Sequence, residues 1–295
     1  MPSFKGVFPA MITPTKEDET PNLEAISVLV ERFLAAGVHG LFAMGTASES
    51  YAFTEAERQE VIAATVAAVA GRVPVLAGAG AITTRQAVSL AHLAEEAGAD
   101  GLSVLTPYFL TPSQEELYTH FQTVAASTKL PVLLYNNPLR THVRLEPRTV
   151  ARLAELDNIV GVKDSSADLV AVMECLAAAP QDFIVLQGND ALIHSSLSLG
   201  AKGCISGMSN AIPEIIVEVY EKHRAGDLEG ALAAQRQVLK LRAGLLLGTG
   251  PDPLKEACRL LGLPVGPTIR PSGPMSADGR ERLRQALAEL GLEVM

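Results

Sequence analysis

Residues 157–166 read Asp157-Asn158-Ile159-Val160-Gly161-Val162-Lys163-Asp164-Ser165-Ser166, an apolar run rich in β-branched residues that ends abruptly in a lysine. Bounded by Asp-Asn before it and Ser-Ser after it, the run predicts a short strand that is apolar on both faces, as in a parallel sheet covered by helices. Runs of the same kind on either side predict strands over 6–13, 40–44, 73–77, 101–105, 131–135, 159–163, 183–187 and 203–206. Between them, 23–36, 54–70, 83–97, 113–127 and 168–179 carry apolar residues at helical spacing, with Thr54 and Ser113 placed as N-caps. The repeat is about 30 residues, the size of one strand, loop and helix unit. No Asn-Gly hairpin turn joins the strands. Eight such units close into a (β/α)8 TIM barrel. A doubly wound sheet would want a GxGxxG turn after its first strand, and Gly78-Ala79-Gly80 does not continue that way.

A turn design recurs in Ala36-Gly37-Val38-His39-Gly40, Ala97-Gly98-Ala99-Asp100-Gly101 and Leu199-Gly200-Ala201-Lys202-Gly203. The first glycine suits the left-handed end of a helix, and the second a closely packed strand entry. After the eighth strand, 212–247, 253–261 and 276–290 read as helices with no strand between them. The expected division is therefore a barrel over 1–225 and a C-terminal helical appendage over 226–295 packed on it. The Pro/Gly-rich stretch 264–273 is the one linker-like segment.

Composition narrows the function classes. Hydrophobic residues make up 48% of the 295, enough for a sizeable core. Thirty-three acidic against 24 basic residues give a net charge of −9, which offers no basic surface to nucleic acid or anionic lipid. Aromatics are only 4% and Trp is absent, so the interior is expected to be mostly Ala, Leu, Val and Ile. Cys175, Cys204 and Cys258 are odd in number and far apart, which argues against a disulfide framework or thiolate zinc site and for buried thiols in a reducing compartment. Residues 1–13 lack the features of a secretory signal, and the apolar stretch 61–81 is broken by Arg72 and Pro74. A cytoplasmic protein without a membrane span is expected.

Barrel enzymes place their chemistry at the C-terminal ends of strands. The sixth strand ends in Lys163, where partial desolvation favours the neutral amine that attacks a carbonyl. The same lysine could instead snorkel to solvent or pair with Asp164. The fifth ends in Tyr135-Asn136-Asn137-Pro138-Leu139-Arg140. Its phenol could relay protons and its guanidinium clamp a carboxylate, or both could be ordinary rim residues. The second ends in Gly45-Thr46-Ala47-Ser48-Glu49-Ser50, a turn whose backbone N–H groups can face an anion, though such residues also serve as plain turn chemistry.

Together these strand ends resemble the dihydrodipicolinate synthase and N-acetylneuraminate lyase family of class I pyruvate-dependent aldolases. The resemblance runs from about Phe4 to the C-terminal helices. It is most specific in Tyr135-Asn136-Asn137-Pro138 and Gly161-Val162-Lys163-Asp164-Ser165, with support from Gly45-Thr46, Glu49, Thr106-Pro107-Tyr108 and Gly188-Asn189-Asp190. It implies that Lys163 forms an imine with pyruvate and that Tyr135 relays protons. It further implies that Thr46 and the Ala47 amide hold the pyruvate carboxylate and that the Ile205 carbonyl lies beside the bound keto acid. No metal or organic cofactor is implied. A homotetramer built from two tight dimers is.

Departures from the family pattern bear on the substrate. Ala47 and Ser48 stand where the family commonly has Thr and Gly, and Phe109 stands where lysine-pathway synthases carry a relay tyrosine. Arg140 matches the arginine those synthases use for the carboxylate of aspartate semialdehyde, and His142 replaces a common glycine, either reaching the distal substrate or capping the loop. Glu55, Arg58, Ile82 and Gln86 occupy the positions where some family members carry the acidic, amide and imidazole groups of a lysine-feedback site, and feedback by lysine is not expected. The first expectation is thus a dihydrodipicolinate-synthase-like condensation of pyruvate with an aldehyde. The alternatives are a catabolic aldolase or dehydratase of a 2-keto-3-deoxy sugar acid, or a non-catalytic keto-acid binder, which intact Lys163, Tyr135 and Thr46 disfavour.

Overall fold

The computed structural model describes residues 3–295. Its elements in chain order are β1 (Gly6–Pro9), α1 (Leu23–Ala35), β2 (Leu41–Ala43), α2 (Glu55–Val69), β3 (Val75–Gly78), α3 (Thr84–Glu96), β4 (Gly101–Leu105), α4 (Gln114–Ala126), β5 (Val132–Asn136), α5 (Pro138–Thr141), α6 (Pro147–Leu153), β6 (Ile159–Asp164), α7 (Leu169–Ala178), β7 (Ile184–Gln187), α8 (Ile193–Leu199), β8 (Gly203–Ser206), α9 (Pro213–Arg224), α10 (Leu228–Leu245), α11 (Asp252–Leu260) and α12 (Ala277–Glu289). All eight strands pair in parallel, in the order β1-β8-β7-β6-β5-β4-β3-β2. A parallel bridge between Ala10 and Phe42, with Met11 N donating to Phe42 O at 2.9 Å, draws the ends of β1 and β2 together. The result is the expected (β/α)8 barrel with C-terminal helices.

Local signals in the sequence set the outer helices. Thr54 with Glu57 and Ser113 with Glu116 form capping boxes that start α2 and α4, and the Asp168 side chain accepts from Val170 N and Ala171 N to start α7. Each such cap is worth about 1 kcal/mol to its helix. The recurring turn behaves as expected. Gly37, Gly98 and Gly200 all have positive φ, and the second glycine of each turn sits against another chain segment.

The barrel interior departs from the expected aliphatic filling. Phe4, Phe8 and Phe42 are fully buried there, packed with Leu76, Leu133, Leu186 and Ile205. A Cβ at Gly40 would lie 2.0 Å from Phe8 Cε1, and one at Gly101 2.7 Å from Phe4 Cζ. A few rings fill volume that glycines on neighbouring strands leave open, so a low aromatic content does not mean an aliphatic barrel core. Strand β1 stops at Pro9, short of the expected 13, because Ala10 and Met11 turn to β2 and Ile12 N donates to Asn210 Oδ1 at 3.0 Å.

The C-terminal segment differs from the expected continuous helix over 212–247. Gly226 (φ 83) lies between Ala225, the C-cap of α9, and Asp227, whose side chain accepts from Gly230 N as the cap of α10. A left-handed glycine followed by an N-capping aspartate ends one helix and starts the next. Nor is 264–273 a loose linker. Lys255 of α11, completely buried, meets Glu49 Oε2 at 2.7 Å and also donates to Thr15 Oγ1 and Pro267 O. Ile269 N donates to the other Glu49 oxygen at 2.8 Å. The appendage is thereby bonded to the turn that follows β2.

Candidate active site

Strand register brings the two central groups together. Tyr135 of β5 is the direct neighbour of Lys163 on β6, and Asn136 that of Asp164. Because side chains alternate along a strand, the first pair faces the barrel interior and the second faces the helices. On the outer side, Asp164 accepts from Asn136 Nδ2 at 2.7 Å and from Ser166 N at 3.0 Å, while Asn136 Oδ1 accepts from Leu145 N. Asp164 is therefore occupied in fastening β5 to β6 and is not the partner of Lys163.

On the inner side, Lys163 is only 4% exposed, which rules out snorkelling. Its Nζ lies 4.0 Å from the centre of the Tyr135 ring and 5.1 Å from that of Phe42, and no carboxylate among the described residues is within ion-pair distance. Two aromatic faces thus supply the stabilisation an anion would otherwise give. Gly188 makes room for the amine: a Cβ there would lie 2.0 Å from Ser165 Oγ and 2.9 Å from Lys163 Cε. The Tyr135 hydroxyl accepts from Asn137 Nδ2 at 2.9 Å, which leaves its own proton free to donate. Burial pushes this phenol up, but the Lys163 charge, aided by the Thr46 hydroxyl, outweighs it and holds Tyr135 below the usual tyrosine range.

A cavity of about 610 Å3 opens over these groups at the C-terminal ends of the strands. Lys163, Tyr135, Thr46, Ala47, Arg140 and Ile205, the six residues singled out in the sequence, all line it. Arg140 is presented by α5, a single turn started by Pro138, and is exposed at the rim. Ser48 does not reach the cavity. It is buried beneath the turn, where its hydroxyl donates to Met11 O and accepts from Gly45 N. The serine therefore fastens the Gly45–Thr46 backbone to the end of β1. His142, at φ 57, caps α5 in the left-handed conformation and does not line the cavity. Phe109 is 89% exposed and also stands outside it, while its neighbour Tyr108 is part of the wall.

Sequence reasoning missed three lining groups. Ser103 projects from β4 into the cavity, and its buried hydroxyl has no hydrogen-bond partner among the described residues. Asp190, quoted above only as part of a motif, lines the wall and accepts from Ser206 Oγ. Burial pushes its carboxyl up, against the opposing effects of Ser206, Met208 N–H, Lys163 and Arg242. Arg242 reaches the mouth from α10. Ser103 was accessible to a reading of strand alternation. Arg242 was not, since only the packing of α10 aims it at the barrel.

The three cysteines are buried and free, and burial pushes Cys175 and Cys258 up to about 12, which keeps them as inert thiols. Among the described residues, no cluster of three or more His, Cys, Asp or Glu is placed to hold a metal ion, and no helix is long and apolar enough to cross a membrane.

Comparison with known proteins bears on the same geometry. The 4-hydroxy-tetrahydrodipicolinate synthase of Methanopyrus kandleri is 42% identical over 291 residues, covering 98% of this chain and 97% of that protein. A crystal structure of dihydrodipicolinate synthase from Aquifex aeolicus superposes with a TM-score of 0.95 at 36% identity, over 99% of each chain. YagE, a prophage protein of the dihydrodipicolinic acid synthase family from E. coli K12 solved in complex with pyruvate, superposes at 0.94 with 32% identity, over 98% of this chain and 99% of that one. The model of the dihydrodipicolinate synthetase family matches residues 3–290. With barrel, lysine and tyrosine in one continuous match, this chain belongs to the dihydrodipicolinate synthetase family.

Proposed function

We propose that the chain is a pyruvate-dependent class I lyase that condenses pyruvate with an aldehyde through a Schiff base on Lys163, in the manner of a 4-hydroxy-tetrahydrodipicolinate synthase. The observation that carries this reading is the enclosed Lys163 amine, packed on Tyr135 without a carboxylate partner, in one cavity with Thr46, Ala47 and Arg140. The relatives named 4-hydroxy-tetrahydrodipicolinate synthase and the pyruvate-bound YagE support it.

In this reading the neutral amine attacks the ketone carbon of pyruvate, whose carboxylate is held by the Thr46 hydroxyl and the Ala47 N–H. Tyr135 delivers the proton with which the carbinolamine oxygen leaves as water. The resulting iminium withdraws electrons from the adjacent methyl group, which loses a proton and becomes the enamine nucleophile. Its attack on the aldehyde carbon forms the new C–C bond while the proton lost by the methyl group is returned, through Tyr135, to the aldehyde oxygen, which becomes a hydroxyl. The amine of aspartate semialdehyde then displaces the Lys163 nitrogen from the imine carbon, which closes the ring and frees the lysine. No separate electron sink is called for. Arg140 at the rim suits a carboxylate on the aldehyde partner.

A second reading, a catabolic aldolase or dehydratase of a 2-keto-3-deoxy sugar acid, is favoured by Phe109, which carries no exchangeable proton where a relay tyrosine is common. The two share the imine and differ in the electrophile. Turnover of pyruvate with aspartate semialdehyde, set beside cleavage of 2-keto-3-deoxy acids, tests them: condensation alone supports the first, and cleavage or dehydration alone replaces it with the second.

We further propose a cytoplasmic homotetramer built from two dimers, with 226–295 as a helical region packed on a 1–225 barrel. Exposed Tyr51, Phe109 and Leu110, and Val170 and Met173 of α7, offer apolar surface for such contacts.

A further inference from the structure

The charge inside the cavity is opposite to that of the protein as a whole. Three cations, Lys163, Arg140 and Arg242, line it against one carboxylate, Asp190. Neither arginine forms an ion pair or a side-chain hydrogen bond with any described residue, although the chain has a large acidic excess and its other arginines are extensively paired. The two enter from different parts of the fold, Arg140 from the turn after β5 and Arg242 from α10, where its charge opposes the upward push of burial on Asp190 across the same cavity. With the imine formed, Lys163 keeps its positive charge as an iminium. The pyruvyl carboxylate and Asp190 then offset two of the three cations, and one guanidinium charge is left without a counterpart.

We propose that Arg242 is a specificity-determining residue that acts with Arg140 on the carboxylate of the electrophile, so that the second substrate is selected for its acidic group by two guanidiniums rather than one. The inference rests on the imine reading above and extends it to the class of the second substrate. A guanidinium on a half-enclosed helix face, with no ion pair or hydrogen bond among the described residues, can turn to a ligand carboxylate, and charge-assisted hydrogen bonds of this kind are strong in a cavity sheltered from water. Because α10 belongs to the C-terminal region, that region takes part in substrate choice as well as in covering the barrel mouth.

The test is a cycle between enzyme and substrate. Arg242→Gln and Arg242→Lys are assayed with aspartate semialdehyde and with the analogue that lacks its carboxylate, and borohydride trapping with pyruvate is measured on the same samples. The expected result for Arg242→Gln is a rise in KM for the semialdehyde of about ten- to a hundred-fold, the usual weight of a hydrogen bond to a charged group. Its KM for the analogue and its trapping by pyruvate should stay as in the unaltered enzyme, and Arg242→Lys should recover part of the loss. An unchanged KM for the semialdehyde, or an equal rise for both substrates, would overturn the proposal while leaving the imine reading intact. Failure of the unaltered enzyme to be trapped would overturn both.

Discussion

Cutting the buried ion pair behind the active-site turn should cost both stability and pyruvate affinity. Lys255 and Glu49 are each completely buried, 2.7 Å apart, and the lysine also serves Thr15 Oγ1 at 3.1 Å and Pro267 O at 2.7 Å. Burial pushes the Lys255 ammonium down, and the Glu49 carboxylate beside it opposes that. Lys255→Met strands the Glu49 carboxylate in the interior, a change that typically costs about 3–5 kcal/mol. For 295 residues at ~2.1 cal/mol/K of unfolding entropy each, the expected fall in Tm is about 5–8 °C. Glu49 stands at φ 57 and accepts from Ile269 N, so releasing it also loosens the turn that carries Thr46 and Ala47. The KM for pyruvate should rise with the loss of Tm. Adding Glu49→Gln removes the stranded charge, keeps the acceptor for Ile269, and should restore at least half of the lost Tm. Calorimetry and steady-state kinetics read both effects. A drop in Tm below about 1–2 °C for Lys255→Met, or no recovery in the double variant, would mean that the pair does not hold the turn in place.

Tyr135→Phe should keep the cavity's shape and the ring beneath Lys163 but slow turnover by about two to four orders of magnitude, the usual weight of an acid-base group; stopped-flow or steady-state rates near those of the unaltered enzyme would count against the relay. His120 is buried, its Nδ1 2.9 Å from Thr84 Oγ1, and burial lowers it from 6.5 to about 4. Its folded-state value lies below its unfolded one, so the native state is favoured above pH 6.5 and loses stability as pH falls toward 4, by about 3 kcal/mol in total. Unfolding followed across that window should show a shallower pH dependence in His120→Gln, and an unchanged slope would assign the acid sensitivity to other groups.

Much of the fold was legible because its signals are local. Strands apolar on both faces, N-caps such as Thr54 and Ser113, and glycine turns repeated at the same spacing all agree on a parallel barrel, and the structure places each strand within a few residues of its expected bounds. The errors arose where a single residue competes with a periodic pattern. Gly226 and Asp227 broke a helix whose apolar spacing ran straight through them. Residues 264–273 looked like a linker because composition cannot show that Lys255 and Glu49 bond it to the barrel. Phenylalanines were too few to be noticed, yet three of them fill the barrel floor.

The site followed the same division. Lys163 and Tyr135 lie at the ends of strands and Thr46 in the turn just after one, and the barrel geometry fixes where strand ends converge, so their meeting was foreseeable. Ser48 was expected to matter for the substrate, but its side chain faces down into the turn rather than up into the cavity. His142 served its conformational role as a helix cap. Arg242 and Asp190 became visible only once α10 and the loop after β7 had a position in space.

The most direct test of the central claim is mass spectrometry of the protein treated with pyruvate and borohydride. One reduced pyruvyl adduct is expected, carried by the peptide that contains Lys163 and absent from Lys163→Ala. An unmodified Lys163 in the unaltered protein, or an adduct of equal yield in the alanine variant, would contradict it.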